Sequence, residues 1–221
     1  KYNDQNKNLG TAWRRATYSD TSWKSGRGLL GLENSALPDP GIKTEINKGS
    51  QLCYYFRKKF TYNGDPSDVT LTIDQIVDDG AVYYLNGTEV GRSRMPNGTV
   101  SFTTRTSATV GDAAEEKGVV TIGPGNLKNG SNVLAVEVHQ TNTTSSDIVF
   151  GCRLSASVPA AKGVVINEIH PTAGKDAFIE FYNPTDEVID LRNYYLSDDP
   201  GALNKRKISR PWKIAARSLA T

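Results

Sequence analysis

From residue 52 onward, the chain alternates apolar and polar residues in short runs separated by clusters of Gly, Asn, Asp and Pro. A period of two is typical of β-strands that place one face in a core. Asn-Gly pairs such as Asn86-Gly87 favour tight hairpins, because both residues tolerate a positive φ. No stretch of ten or more residues has helical periodicity. The predicted strands are 54–62, 68–76, 81–93, 100–106, 118–122, 131–140 and 147–156.

The sixth of these runs indicates how the sheets are built. Leu134, Val136 and Val138 lie on one face of the strand, whereas the other face carries Ala135, Glu137 and His139. Such a strand predicts a sheet with one face in the core and one face in water. The regular spacing of short strands predicts an all-β fold, either a sandwich or a barrel.

Residues 158–163 have the composition of a linker, because they are small, contain a proline and do not alternate. A second β pattern follows them. We therefore predict a first domain at 1–157, a linker at 158–163 and a second domain at 164–221. Roughly 60 residues are too few to close a second sandwich with a stable core. We expect its missing strands to follow residue 221, to come from a partner chain or to be absent.

The composition argues against two classes of protein. Hydrophobic residues make up 37% of the chain and charged residues 23%, which is typical of folded domains. No apolar run approaches the roughly 18 residues that cross a bilayer, and this predicts no direct membrane insertion. The net charge is only +2, and the basic residues of 205–221 are more simply explained as a solvated surface. We predict no nucleic-acid partner.

Two parts of the chain resemble known families. WRRATYSDTSW (13–23), VDDGAVYYLNGTEVGRSRMP (77–96) and NVLAVEVHQTNTTSSDIVF (132–150) resemble the galactose-binding-like jelly roll of large secreted bacterial proteins. VVINEIHP (164–171) and FIEFYNPTDEVIDLRNYYLSDDP (178–200) resemble the start of a lamin-tail-like domain. The resemblance implies an all-β chain, with a jelly-roll β-sandwich followed by a partial immunoglobulin-like (lamin-tail-like) sandwich. It also implies a secreted or cell-surface location and contact with carbohydrate.

Two adjacent carboxylates, Asp78 and Asp79, precede Gly80 at the end of a predicted strand. Carboxylate oxygens are the ligands that Ca²⁺ prefers, and similar Asp-Asp turns in other lectin-like sandwiches hold calcium that orients sugar hydroxyls. The simpler alternative is a solvated turn in which the Asp side chains cap backbone amides. We take Asp78 and Asp79 as candidate ligands of a Ca²⁺ ion that is either structural or shared with a bound ligand.

Sugar binding requires an aromatic ring for the apolar face of the sugar and fixed polar groups for its hydroxyls. Tyr84 lies beside the Asp pair, and the loop that follows His139 is rich in donors and acceptors. The alternative for this loop is a polar connection that satisfies its own hydrogen bonds. Trp13 and Trp23 favour core packing over ligand contact. The candidate ligand-binding residues are Asp78, Asp79, Tyr84, His139, Gln140, Ser146 and Asp147.

The sequence contains no pattern that predicts catalysis. Its two histidines, His139 and His170, have no metal-binding spacing, and GxSxG, Walker and GxGxxG motifs are absent. Ser145, Ser146 and Asp147 follow His139 closely, but a catalytic triad is defined by geometry and not by nearness in sequence.

We therefore predict that the chain is not an enzyme. The leading hypothesis is a non-catalytic carbohydrate-binding or adhesion module of a larger exported protein, whose partner is a polysaccharide or another glycan. The first alternative is a structural module that contacts neighbouring chains of a surface assembly. The second alternative is a pair of accessory domains from a secreted enzyme whose catalytic domain lies outside these residues.

The two cysteines, Cys53 and Cys152, have no metal-binding or redox spacing. Each lies at or beside a predicted strand, one near the start and one near the end of the first domain. The first and last strands of a sandwich are often neighbours, which favours a disulfide. The alternation of side chains along the strands argues against it. Cys152 shares a face with the apolar Phe150 and Leu154, which predicts that it points inward, whereas Cys53 alternates with Tyr54 and Phe56. A disulfide and two separate thiols both remain open.

Overall fold

The computed structural model describes residues 1–67, 69–123, 125–157, 163–171, 177–192 and 194–221. The chain divides into two compact units, Lys1–Val158 and Pro159–Thr221. The predicted linker lies outside the described residues except for Gly163. Within the described residues the fold is all-β apart from one 3₁₀ turn at Ala12–Arg14, as the sequence predicted. No helix in this part of the chain has the length and apolarity needed to cross a membrane.

The first unit contains two five-stranded sheets. Its strands are β1 (Tyr2–Asn3), β2 (Leu30–Leu32), β3 (Thr44–Glu45), β4 (Cys53–Tyr62), β5 (Thr70–Asp78), β6 (Gly80–Leu85), β7 (Thr88–Ser93), β8 (Glu116–Ile122), β9 (Gly130–His139) and β10 (Ile148–Ser157). The first sheet has the order β1-β4-β9-β6-β7, and the second has the order β3-β2-β10-β5-β8. The two sheets share one core, so this unit is a β-sandwich.

The core of the sandwich is formed by alternate side chains of both sheets. Burying each large apolar side chain contributes about 1.5–3 kcal/mol. Phe56 of β4 and Phe150 of β10 meet across the core with their ring centroids 4.2 Å apart. The other large members of this core include Tyr54, Leu71, Ile73, Val77, Tyr83, Leu85, Leu134, Val136, Val138 and Ile148.

Two details of the strand prediction differ from the structure. The run 81–93 is a hairpin of β6 and β7, which turns at Asn86 (φ 54°) and Gly87 (φ 98°) as the Asn-Gly pair predicted. The run 100–106 is not a strand, and this prediction was wrong. Its alternation arises because Phe102 packs against a buried cluster while its neighbours face solvent.

The outer face of the first sheet is buried, so the prediction of a wet face was wrong. The segment before β2 folds over this face, and Trp13 lies at the centre of the contact with no exposed surface. The Trp13 ring packs 4.7 Å from Tyr55 and 5.8 Å from Tyr84, measured between ring centroids. Glu137 and His139, which the alternation placed in water, are 2% and 0% exposed.

A buried arginine fastens the covering segment to the sheet. The Nε of Arg57, on β4, donates to Asp20 at 2.9 Å, and both groups are almost fully buried. Its guanidinium also donates to the backbone carbonyls of Trp13, Arg15 (3.2 Å) and Tyr18 (3.5 Å). One cation therefore satisfies several polar groups that the covering segment would otherwise bury without partners.

The second unit consists of three small sheets in its described part. Its strands are β11 (Val165–His170), β12 (Phe178–Tyr182), β13 (Ile189–Asp190), β14 (Tyr195–Leu196), β15 (Arg206–Lys207), β16 (Lys213–Ile214) and β17 (Leu219–Ala220). They pair as β11-β12-β17, β13-β16 and β14-β15. Its buried core includes Phe181, Leu191 and Ile214, and the buried amide of Asn183 donates to the carbonyl of Ile214 at 3.0 Å. The likeness to a lamin-tail domain stays a prediction.

The two cysteines are free and lie on different sheets of the sandwich, so the disulfide that the sequence left open is not formed. Cys53 on β4 is buried, whereas Cys152 on β10 is exposed. The Cys152 side chain lines a cavity of about 630 Å³ together with Phe56 and Phe150, which belong to the two different sheets. Its predicted inward direction is therefore compatible with its exposure.

Candidate metal centre and binding loop

Three carboxylates meet at one end of the sandwich because of how its second sheet pairs. β10 lies between β2 and β5, with Ile148 opposite Leu32 and Val149 opposite Asp78. Asp147 is the residue before β10, and Glu33 is the residue after β2. The sheet therefore places Glu33, Asp78 and Asp147 side by side, and one carboxylate oxygen of each lies within 4.8 Å of the others.

Asp78 is the most unusual member of this cluster. It is 0% exposed, and neither of its carboxylate oxygens has a hydrogen-bond partner among the described residues. Glu33 Oε2 is also buried without a partner, while its Oε1 accepts from the backbone amides of Asn34 (2.6 Å) and Ser35 (2.7 Å). Buried carboxylates are normally paired, hydrogen-bonded or bound to a metal.

Burial and the neighbouring carboxylates make it unfavourable for Asp78 to carry a negative charge. Burial raises the pKa of Asp78 to about 8, and the charges of Asp79 and Asp147 add to the shift. A bound divalent cation would lower the pKa of Asp78 again, because it stabilises the ionised form of a carboxylate. The cluster is therefore either partly protonated near neutral pH or occupied by a cation.

The chemistry of the donor set fits a hard cation. Ca²⁺ takes six to eight oxygen ligands at about 2.3–2.6 Å, including carboxylates, amide oxygens and water. Each of the three carboxylates supplies one oxygen to the cluster, and water would supply further ligands. The side chain of Gln140 lies next to the cluster, where its amide nitrogen donates to the backbone carbonyl of Asp78 at 2.9 Å. Glu33, Asp78 and Asp147 would hold the ion.

The predicted partner of Asp78 has a different role. Asp79 does not belong to the cluster, because its two oxygens accept from the backbone amides of Val110 and Thr141, each at 2.8 Å. Asp79 thus ties two loops together. It caps backbone amides, as in the alternative that the sequence left open, but it is buried and the turn is not solvated. The predicted Asp78-Asp79 metal pair is therefore corrected to Asp78 with Glu33 and Asp147.

The other predicted ligand-binding residues are divided between two places. Ser146 is exposed and Asp147 half-buried in the loop beside the cluster. Tyr84 and His139 lie instead on the covered outer face of the first sheet, where both are buried. Because both side chains are buried, neither ring is available to stack on a sugar, and the Tyr84 hydroxyl donates to Glu137 at 2.5 Å.

His139, Ser145 and Asp147 do not form a catalytic triad. The Nδ1 of His139 bonds to the backbone carbonyl of Thr104 at 2.8 Å, and its Nε2 faces Cys53. The Ser145 hydroxyl donates to Asp147 at 3.0 Å and not to an imidazole. A serine nucleophile requires a base within hydrogen-bond reach.

Sequence reasoning missed Glu33. It follows the short apolar strand β2, more than 100 residues from Asp147 in the sequence. A run of three residues carries little periodicity, and its pairing with β10 cannot be read from the residues alone. The sequence contains no other signal that would have placed Glu33 beside Asp78.

Comparison with known proteins gives only remote structural likenesses. No protein-family model matches the chain, and no curated protein matches it. A β-glucuronidase from glycoside hydrolase family 2 is 14% identical, with a TM-score of 0.41 over 100% of this chain and 25% of the enzyme. A β-glycosidase from Bacteroides vulgatus is 15% identical, with a TM-score of 0.34 over 82% of this chain and 24% of the enzyme.

The β-glucuronidase of Bacteroides uniformis is 12% identical, with a TM-score of 0.36 over 100% of this chain and 27% of the enzyme. The chain thus spans about a quarter of the length of these glycosidases. TM-scores this low carry no weight for its function. The fold and the site rest on the geometry of the chain itself.

Proposed function

We propose that this chain is a non-catalytic carbohydrate-binding module of a larger exported protein, and that a Ca²⁺ ion organises its binding loop. One observation carries the proposal. The carboxylate of the fully buried Asp78 has no hydrogen-bond partner in the described part of the chain and lies next to those of Glu33 and Asp147, beside a polar surface loop. A cation in this cluster would fix the end of β5, the end of β2 and the start of β10 relative to one another.

The loop between β9 and β10 supplies the groups that a glycan needs. Hydroxyl and amide side chains are donors and acceptors for sugar hydroxyls. The Thr141 hydroxyl contacts those of Thr106 (2.7 Å) and Thr109 (3.2 Å), which anchors the start of the loop. At least partly exposed polar side chains of the loop are Thr141, Asn142, Thr143, Thr144, Ser145 and Ser146.

Burial supports a role in binding and not in hydrolysis. A glycosidase uses two carboxyl groups that flank the scissile bond and contact the substrate. Asp78 has the raised pKa of a general acid, but it is 0% exposed and a glycosidic oxygen would not reach it. His139 is buried to the same degree. The other members of the cluster, Glu33 and Asp147, are half-buried, and their position beside Asp78 suits the binding of a cation.

A glycan array with the whole chain tests the proposal, in Ca²⁺ and in excess EGTA. We expect binding to at least one polysaccharide in Ca²⁺ and its loss in EGTA. Asp147→Asn should lose binding and keep its circular dichroism spectrum, because it removes a ligand charge with little change in shape. The matched control is Asp112→Asn, an exposed loop carboxylate, which should bind like the wild type. No binding in either condition would contradict the proposal.

One observation favours the alternative of a structural module. The second unit exposes large apolar side chains on its three-stranded sheet, and Ile166 and Ile169 of β11 are 52% and 59% exposed. An apolar sheet face of this kind is a surface on which another chain can pack. Light scattering across a range of concentrations separates the hypotheses, because a concentration-independent monomer would count against assembly.

A further inference from the structure

A second group of metal-ligating side chains lies far from solvent on the outer face of the first sheet. Cys53 of β4 and His139 of β9 are direct cross-strand partners, and Glu137 lies two residues before His139 on the same face. The covering segment and its tryptophans close this face. The exposed fractions of Cys53, Glu137 and His139 are 2%, 2% and 0%.

The three functional atoms converge without a short bond between them. Cys53 Sγ lies 3.7 Å from His139 Nε2 and 3.9 Å from Glu137 Oε2, and these last two atoms are 3.5 Å apart. The separation of His139 Nε2 and Glu137 Oε2 is longer than a direct hydrogen bond between nitrogen and oxygen, which is about 2.7–3.2 Å. The two contacts of the sulfur are long hydrogen bonds of a weakly polar thiol. Three buried polar atoms thus face a common centre.

The triangle has the size of a metal coordination sphere. The point equidistant from the three atoms lies about 2.1 Å from each of them. Zn²⁺ binds imidazole nitrogen at about 2.0–2.1 Å, carboxylate oxygen at about 2.0–2.2 Å and thiolate sulfur at about 2.3 Å. Shifts of a few tenths of an ångström would produce these bond lengths.

Surrounding groups orient His139 and Glu137 toward the centre. Because the carbonyl of Thr104 can only accept, Nδ1 of His139 carries the hydrogen of their 2.8 Å bond, and in the neutral ring Nε2 presents its lone pair. Glu137 Oε1 accepts from the Tyr84 hydroxyl at 2.5 Å and from Arg14 at 3.0 Å, which leaves Oε2 for the centre. Such outer contacts are characteristic of histidine and carboxylate ligands.

We propose that Cys53, Glu137 and His139 form a buried site for one Zn²⁺ ion. A thiolate and a carboxylate together match the charge of the ion, and Arg14, which pairs with Glu137 Oε1, adds one positive charge at the partly exposed edge of the site. The thiol proton is released to solvent on binding, and a water molecule is the fourth ligand that completes a tetrahedron. The soft sulfur and the imidazole favour Zn²⁺ over Ca²⁺, so this site is chemically distinct from the cluster around Asp78.

The role of such an ion would be structural. It would join β4 to β9 beneath the segment that carries Trp13, and its burial keeps substrates away. Burial also means that the ion enters while the chain folds. Without metal, burial and the charge of Glu137 raise the pKa of the Cys53 thiol well above its ordinary value, so the thiol keeps its proton.

Refolding of the whole chain tests the proposal. Reduced, denatured protein is refolded with equimolar ZnCl₂ or CoCl₂, with Ca²⁺ present throughout so that the other cluster does not contribute. We expect about one Zn²⁺ per chain by mass spectrometry of the metal content after gel filtration. The cobalt form should show a thiolate-to-cobalt charge-transfer band, and the zinc form should melt at a higher temperature than the metal-free form.

Matched cysteine variants assign the site. Cys152→Ser should behave like the wild type, and Cys53→Ser should fold yet lose both the charge-transfer band and the stabilisation by zinc. Folded wild-type protein that retains no zinc, or whose cobalt spectrum has no thiolate band, would overturn the proposal. This wild-type result decides the question even if Cys53→Ser fails to fold. Equal zinc content in both variants would overturn it as well.

Discussion

The buried carboxyl of Asp78 makes a prediction about stability and pH. In the folded, metal-free chain, burial raises its pKa to about 8, with the charges of Asp79 and Asp147 adding to the shift. In the unfolded chain the same group ionises near its ordinary pKa of about 4. Between these two values, the folded state holds a proton that the unfolded state has released. The free energy of unfolding must therefore fall as pH rises from about 4 to about 8.

The size of the effect follows from proton linkage. A difference of one bound proton changes the free energy of unfolding by up to about 1.4 kcal/mol per pH unit. Asp78→Asn keeps the shape of the side chain but does not ionise, so its contribution to the slope should disappear. The metal-free variant should match the wild type near pH 4 and become more stable than it toward pH 8.

Calcium should act in the opposite direction. A ligand at one hundred times its dissociation constant stabilises the folded state by about 2.7 kcal/mol. Because Ca²⁺ requires the ionised carboxylate, its stabilisation of the wild type should grow with pH. Asp78→Asn should gain little from Ca²⁺ at any pH.

Urea denaturation of both proteins from pH 5 to pH 8, in metal-free buffer and in Ca²⁺, measures these slopes. Asp112→Asn serves as the control for loss of an exposed carboxylate. The reasoning is refuted if the metal-free wild type becomes more stable toward pH 8. It is also refuted if Asp78→Asn keeps the slope of the wild type.

Three further predictions concern the sandwich. Trp13→Ala should lower the free energy of unfolding by about 3–5 kcal/mol in urea titrations, because it empties a fully buried site. Arg57→Met leaves Asp20 buried without its cation and should cost about 3–5 kcal/mol in the same assay, whereas a loss under about 1 kcal/mol would contradict the described anchor. In native protein a thiol-labelling reagent should modify the exposed Cys152 slowly, because desolvation raises the pKa of its thiol to about 12, and should spare the buried Cys53, as mass spectrometry of tryptic peptides would show.

The sequence predicted long strands better than it predicted which of their faces are buried. Alternation and the Asn129-Gly130 turn predicted β9 at 131–140, one residue from its observed position at Gly130–His139. The same alternation suggested a wet face, because Glu137 and His139 are polar. Their burial depends on the covering segment around Trp13, and the contacts between distant segments are not encoded in the period of either one.

The candidate site was predicted in part for a similar reason. Adjacent acids and a polar loop pointed to Asp78 and Asp147, both of which the structure places in the cluster. Asp79 looked equivalent to Asp78 in sequence, but its oxygens accept from two backbone amides instead, and those amides belong to loops that only the fold brings beside it. Glu33 depends on the pairing of β2 with β10, which only the fold reveals.

Calorimetric titration of Ca²⁺ into the metal-free 221-residue chain near pH 8 tests the central claim most directly. The account predicts saturable binding of about one Ca²⁺ per chain at the cluster of Glu33, Asp78 and Asp147, and no such binding by Asp78→Asn. Absence of binding heat up to millimolar Ca²⁺, or an unchanged isotherm for the variant, would contradict it.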